Sequence, residues 1–192
     1  FGPFLGEDIV SFHEYRLTAT ISSLAGLKEL IDSGLSITAH LKIETGFGRT
    51  GLKDTQLKEL IELLKKAENI KIEGIYSHLA TGMWTSISFA QQQFSLFLNA
   101  VEYLKASGWD IPLKHICNSA ALVKFPQMHL DMVRAGTILY GQEVAGRGDF
   151  QGKLCNAWSL KGQITYINKL PKGHSIGYER SHILKRQTRT AI

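Results

Sequence analysis

From Arg16 to Ile138, short runs of β-type residues alternate with longer stretches at helical spacing. No other feature constrains the fold as much, because such alternation calls for a parallel sheet covered by helices. Strands are predicted at 17–21, 37–43, 71–76, 113–117 and 130–133. Between the first two, Leu24, Leu27, Leu30 and Ile31 form an apolar stripe, and Leu57, Leu60, Ile61 and Leu64 form a second after the next strand. The longest helix is predicted over 88–105, opened by a capping pair, Ser88 and Gln91, and ended near Gly108. Pattern alone allows an open doubly wound sheet or part of an eight-stranded barrel. No GxGxxG follows the first strand, and polar residues gather at the carboxyl ends of four strands: Lys42 with Glu44, His78, Asn118 with Ser119, and Arg134 with Gly136. A barrel mouth collects residues in this way. The expected fold is therefore α/β, a partial (β/α)8 barrel over 1–141, followed by the start of a C-terminal β-domain.

That second part, 142–192, begins where Gly146, Gly148 and Gly152 punctuate a polar loop. Leu160, 163–168 and 182–192 then read as strands around a turn at Leu170, Pro171, Lys172 and Gly173. Lys185, Arg186 and Arg189 read as an ordinary solvated strand. With 22 Lys plus Arg against 17 Asp plus Glu, the excess of five positive charges is too mild to imply nucleic acid as a partner. No apolar run approaches the roughly 20 residues of a membrane span. Cys117 and Cys155 stand far apart with no CxxC, which suits a reducing, cytoplasmic compartment and offers no metal site. HExxH, GxSxG and GxxxxGK[ST] are absent, so metal-hydrolase and nucleotide-hydrolase readings fall away.

The segment from His40 to Gly51 is the most informative. By period two, His40, Lys42 and Glu44 share one face and Leu41 and Ile43 the other. On a central strand covered by helices, those charges must point into the barrel mouth and find partners there. Gly46, Gly48 and Gly51 permit left-handed backbone that aims Arg49 back over the strand end. His78 ends its strand as a planar ring able to pack on a flat ligand, or as a satisfied rim residue. Asn118 reads as the cap of a short helix, with Ser119 and its small neighbours leaving room for a phosphate. Arg134, Ala135, Gly136 and Thr137 make a second phosphate-type cradle after the last strand. Asp131 receives no role.

These blocks, LKIETGFGRTG at 41–51, GIYSHLAT at 74–81, NSAA at 118–121 and VRAGTILYG at 133–141, resemble the alanine racemase family in content, order and separation. The resemblance extends through Gly173 to the closing KRQTRTAI. It implies pyridoxal 5'-phosphate as cofactor, a homodimer whose active site is shared across the interface, and interconversion of L-alanine and D-alanine, supplying D-alanine for peptidoglycan. By the same resemblance, Arg134 is the arginine that donates to the pyridine nitrogen, and His78 stands beside the ring, linked to that arginine, with Asn118 as its neighbour. Arg49 lies near the phenolic oxygen and the substrate carboxylate. Lys42 matches a carboxylated lysine that holds Arg49, and Ser119, Gly136 and Thr137 take the phosphate. If Lys42 is not carboxylated, Glu44 is the anion at hand to separate it from Arg49. Glu44 replaces the family's usual aspartate, Phe47 a methionine and Ala135 a proline.

The family's two proton-transfer bases, a cofactor-bearing lysine and a tyrosine from the partner subunit, have no matching block in this sequence. The chain therefore reads as a central segment, inactive alone. The resemblance leaves serine or broad-specificity racemases as alternatives, along with a non-catalytic pyridoxal-phosphate-binding protein. A decarboxylase or aldolase is disfavoured by Arg134, since those reactions gain from a carboxylate at the ring nitrogen.

Overall fold

The computed structural model describes residues 2–80, 87–142, 152 and 154–192; Thr81, Gly146 and Gly148 lie outside them. The chain divides into two compact units, Phe1–Ala157 and Trp158–Ile192. The change of texture in the sequence comes earlier, near residue 142.

In the first unit, β1 (Thr18–Ile21), β2 (Ile37–Lys42), β3 (Ile70–Tyr76) and β4 (Leu113–His115) form one parallel sheet in the order β1-β2-β3-β4. Strands in chain order, with no reversal, leave no switch point of the doubly wound kind and match consecutive units of a (β/α)8 barrel. The helices are α1 (Ile9–Glu14), α2 (Leu24–Asp32), α3 (Leu57–Leu64), α4 (Ile87–Ala106) and α5 (Ser119–Lys124). Ser23 caps α2, its Oγ accepting from Gly26 N–H at 3.1 Å, and Leu27 and Leu30 are buried one turn apart. Leu57, Leu60, Ile61 and Leu64 form the buried face of α3. Along α4, Ala90, Gln93, Phe97, Ala100, Val101 and Leu104 are buried at helical spacing. These faces and Leu41, Ile43 and Ile75 of the sheet belong to one apolar core.

Three sequence expectations in this unit need correction. Helix α4 already includes Ile87, so Ser88 lies inside it and cannot hold the extended backbone of an N-cap. No strand forms over 130–133, because Leu130 takes a left-handed φ of +53° that breaks an extended run. The segment nonetheless runs beside β4, with Asp131 N–H donating to Lys114 O at 3.1 Å and Arg134 N–H to Cys117 O at 3.0 Å. Asp131 does have a structural task, since its Oδ2 accepts from Lys114 N–H at 2.8 Å.

The second unit is antiparallel. β5 (Ile167–Leu170) pairs with β8 (Thr188–Ala191), and β6 (Ser175–Ile176) with β7 (His182–Ile183). Lys172 and Gly173, the latter at φ +85°, form the turn after Pro171, closed by His174 N–H donating to Pro171 O at 3.2 Å. Residues 160–166 form no strand, so the predicted run there shrinks to β5. Lys185, Arg186 and Arg189 are exposed. Among the described residues no helix is long and apolar enough to cross a membrane.

Candidate active site

Parallel pairing puts residues at the same register on the same face of the sheet. The register joins Thr20 to His40, Lys42 to Tyr76, and Tyr76 to His115, so one face carries a polar layer across all four strands. Burial is near complete: His40 is 9% exposed, Lys42 3%, Tyr76 1% and His115 0%. The Tyr76 and His115 rings stack at 4.8 Å, and Tyr76 Oη lies 3.1 Å from Thr20 Oγ1. Above this layer, at the strands' carboxyl ends, Arg134 reaches in from the segment after β4.

The Arg134 guanidinium meets four acceptors. Its Nη1 donates to His115 Nδ1; its Nη2 donates to Ser77 O at 2.7 Å, and it lies 3.3 Å from both Ile116 O and His78 Nδ1. The group also lies 5.0 Å from the centroid of Tyr76. Burial and then the positive charge of Arg134 hold the His78 imidazolium down to about 4 and that of His115 to about 3. Both rings are therefore neutral at pH 7, which is what lets their Nδ1 atoms accept from a cation.

The loop after β2 closes over Lys42. Leu52 N–H donates to Lys42 O at 2.8 Å and Glu44 N–H to Leu52 O at 2.9 Å, so residues 44–51 form a return. Gly51 is required there: its φ is +144°, and a Cβ would stand 2.7 Å from Glu44 N. The return brings Thr50 Oγ1 to 2.6 Å from Lys42 Nζ and sets Arg49 over Phe47 at 4.4 Å, while Phe47 packs edge-on against His78 at 4.9 Å. Burial and then the Arg49 charge lower the Lys42 pKa, with Glu44 opposing and Arg134 adding to the shift. Glu44 does not bridge Lys42 and Arg49 as the sequence suggested. Its Oε1 accepts from Gly46 N–H at 2.6 Å and Gly48 N–H at 3.0 Å. Burial raises its pKa, but the backbone donors of Gly48, Gly46, Phe47 and Arg49 outweigh this and lower it. Among the described residues no carboxylate comes within 4.0 Å of Lys42 Nζ.

Asn118 is a helix cap. Its Oδ1 accepts from Ala121 N–H at 3.0 Å, and its Nδ2 donates to Leu79 O at 3.3 Å, tying α5 to the residue after His78. Ser119 Oγ accepts from Gly136 N–H at 2.8 Å and Ile138 N–H at 3.4 Å, which joins the two expected cradles into one corner. Thr137 opens the 3-10 turn Thr137–Tyr140 at that corner.

Reading the sequence missed several residues. Gln93, 0% exposed on α4, donates from Nε2 to His78 O at 3.2 Å and accepts Ala80 N–H at 2.9 Å. Thr45 Oγ1 and Ser77 Oγ are 2.7 Å apart, and Ser77 Oγ donates to Ile43 O at 2.8 Å. His115, Tyr76 and Thr20 were missed as well. The signal that could have found His115 is its place three residues before the NSAA block, near the end of a predicted strand.

Comparison with known proteins gives the same frame. The alanine racemase N-terminal domain model matches residues 1–144. The chain is 38% identical over 183 residues to alanine racemase 2 of Caldanaerobacter subterraneus subsp. tengcongensis, covering 93% of this chain and 47% of the relative. It is 34% identical over 199 residues to the alanine racemase of Methanococcus maripaludis, covering 100% and 53%. Among solved structures, the alanine racemase from Bacillus anthracis with bound L-Ala-P superposes with a TM-score of 0.86 at 28% identity, covering 100% of this chain and 51% of that one. The chain thus spans about half the length of the relatives it matches. A family match over three quarters of the chain, joined to this superposition, establishes that the chain belongs to the alanine racemase family.

Proposed function

We propose that the full-length protein interconverts L-alanine and D-alanine, supplying D-alanine for peptidoglycan, and works as a homodimer with a shared active site. The cofactor of the family is pyridoxal 5'-phosphate. When bound, it supplies an electron sink that acidifies the α-hydrogen of an amino acid. The donor set suits it. One corner gathers a hydroxyl, Ser119, with the backbone N–H groups of Gly136 and Ile138, which donate to its Oγ here and which a phosphate would share with it. A fixed guanidinium, Arg134, lies nearby at the strand ends, fitted to a ring nitrogen.

The observation that carries the reading is the seating of Arg134. Its charge is anchored on Ser77 O and on two neutral imidazoles, so it stays a donor at any working pH. A pyridine nitrogen held against this guanidinium would be kept from taking up a proton, and the electron sink the cofactor supplies would be restrained, which favours returning the α-proton over side reactions. His78 orients Arg134 from one side and flanks the ring. Asn118, through Leu79 O, keeps α5 and its Ser119 in register with His78. Arg49 is placed to hold the substrate carboxylate and the phenolic oxygen. Thr137 completes the phosphate corner with Ser119 and Gly136.

Carboxylation of Lys42 fits its surroundings. The amine is buried, two arginines lower its proton affinity, and Glu44 is occupied by its own loop. A carbamate there would turn a repulsive Lys42–Arg49 pair into an attractive one and fix Arg49.

Serine or a broader set of amino acids remains the second substrate reading, because the same groups grip any α-amino carboxylate. The 192 residues alone are expected to give no turnover, since the proposed proton-transfer pair matches no block among them. The test is L-to-D alanine conversion by the full-length protein. Arg134→Glu should lower it about 100-fold or more, and an unchanged rate removes Arg134 from the ring nitrogen.

A further inference from the structure

Behind the contact of His115 with Arg134, the inner face of the sheet holds further polar contacts that the proposed reaction does not use. The line starts at Arg134, whose Nη1 reaches His115 Nδ1, and continues from His115 Nε2 to His40 Nδ1 at 3.0 Å. It ends with His40 Nε2 at 3.9 Å from Glu73 Oε2. His115 is 0% exposed and His40 9%. The rings lie 5.2 Å apart, and Tyr76 stacks on His115 from the side. The floor under His40 is Gly74, its register partner on β3. A Cβ at Gly74 would stand 2.5 Å from the His40 ring, so no other residue leaves the ring in place.

We propose that His115 and His40 form a one-way hydrogen-bond chain that positions Arg134 from behind, with the Glu73 carboxylate facing its far end and both histidines held in the Nε2–H form. The direction follows from donor and acceptor identities. A guanidinium only donates, so His115 Nδ1 must carry a lone pair. A neutral imidazole with a bare Nδ1 has its single proton on Nε2, and that proton faces His40 Nδ1. His40 Nδ1 must then accept, which puts the proton of His40 on Nε2, toward the carboxylate of Glu73. A proton added to His40 Nδ1 would face the proton on His115 Nε2 and break the line. The cation at one end and the anion at the other thus fix every proton between them, and Arg134 gains a partner that cannot turn over into a donor. His115, His40 and Glu73 are positioning residues, acting through Arg134; the functional part of this inference rests on the proposed role of that arginine.

The experiment uses the full-length protein with 15N-labelled histidine, first without cofactor. Two-bond proton–nitrogen correlation spectra at neutral pH should show both His115 and His40 with bare Nδ1 and protonated Nε2. A ring carrying its proton on Nδ1, or a charged ring, overturns the chain whatever the protein catalyses. Pyridoxal 5'-phosphate affinity is then measured by titration. His115→Phe, which removes the acceptor, should weaken binding about 10-fold, and His115→Gln, which returns an amide oxygen, should recover part of it. Gly74→Ala, remote from the cofactor corner, should shift the His115 and His40 nitrogen resonances and weaken binding in the same direction. Equal affinity in His115→Phe and the unsubstituted protein contradicts the positioning role. If the spectra agree but Arg134→Glu racemises normally, the chain stands and the proposed function of Arg134 falls.

Discussion

The two faces of the parallel sheet are built on opposite principles. Leu41, Ile43 and Ile75 meet Leu60, Leu64 and Phe97 from the helices, and that side is held by area removed from water and by close packing. The other side buries Thr20, His40, Lys42, Tyr76 and His115, and it is held by named hydrogen bonds and one stacked ring pair. The first face tolerates a change of shape better than a change of polarity; the second fails when a single partner is removed, because a buried group is then orphaned. Stability and chemistry are thereby separated by the thickness of one strand.

The contrast can be broken first on the apolar side. Phe97, fully buried on α4, should cost about 3–5 kcal/mol of unfolding free energy when replaced by alanine. Activity per folded molecule should change little. Urea unfolding of the full-length protein, read beside the specific activity of its folded fraction, checks both parts. At the strand ends, Gln93→Leu keeps the volume but leaves Ala80 N–H and His78 O without their partner. It should cost about 1–3 kcal/mol and also lower activity, because His78 and through it Arg134 lose a support. A loss of stability with an unaltered rate would place Gln93 among the structural residues only.

A further effect comes from pH. His78 and His115 have folded values near 4 and 3, below the ordinary 6.5, so above pH 6.5 both are neutral whether the chain is folded or not. As pH falls below 6.5, the unfolded chain binds protons that the folded one refuses, and stability drops until the folded values are reached. The denaturation midpoint should therefore fall between pH 7 and pH 5, and His115→Gln should flatten part of that decline. A midpoint that rises on acidification contradicts the neutral rings.

Much of this was legible in the sequence because period and position are local. The stripes of α2 and α3 and the inward parity of His40 and Lys42 needed only spacing. What was not legible depended on partners distant in the chain. Gln93 looks like any polar residue on a helix until its side chain is seen spanning the ends of two strands. His115 shows no motif, and its meaning comes from Arg134 and His40 meeting it at both nitrogens. Glu44 carried a charge that suggested an ion pair with Lys42, whereas the glycine backbone of its own loop offered closer donors. The strand expected at 130–133 failed on one left-handed residue, Leu130, which propensity does not disclose.

The most direct test of the central claim reads the cofactor's ring nitrogen itself. Pyridoxal 5'-phosphate labelled with 15N at that atom, bound to the full-length protein at neutral pH, should report a nitrogen that accepts a hydrogen bond but carries no proton. In Arg134→Glu it should report a protonated one. A protonated nitrogen in the unsubstituted protein, or one indifferent to the substitution, contradicts the account.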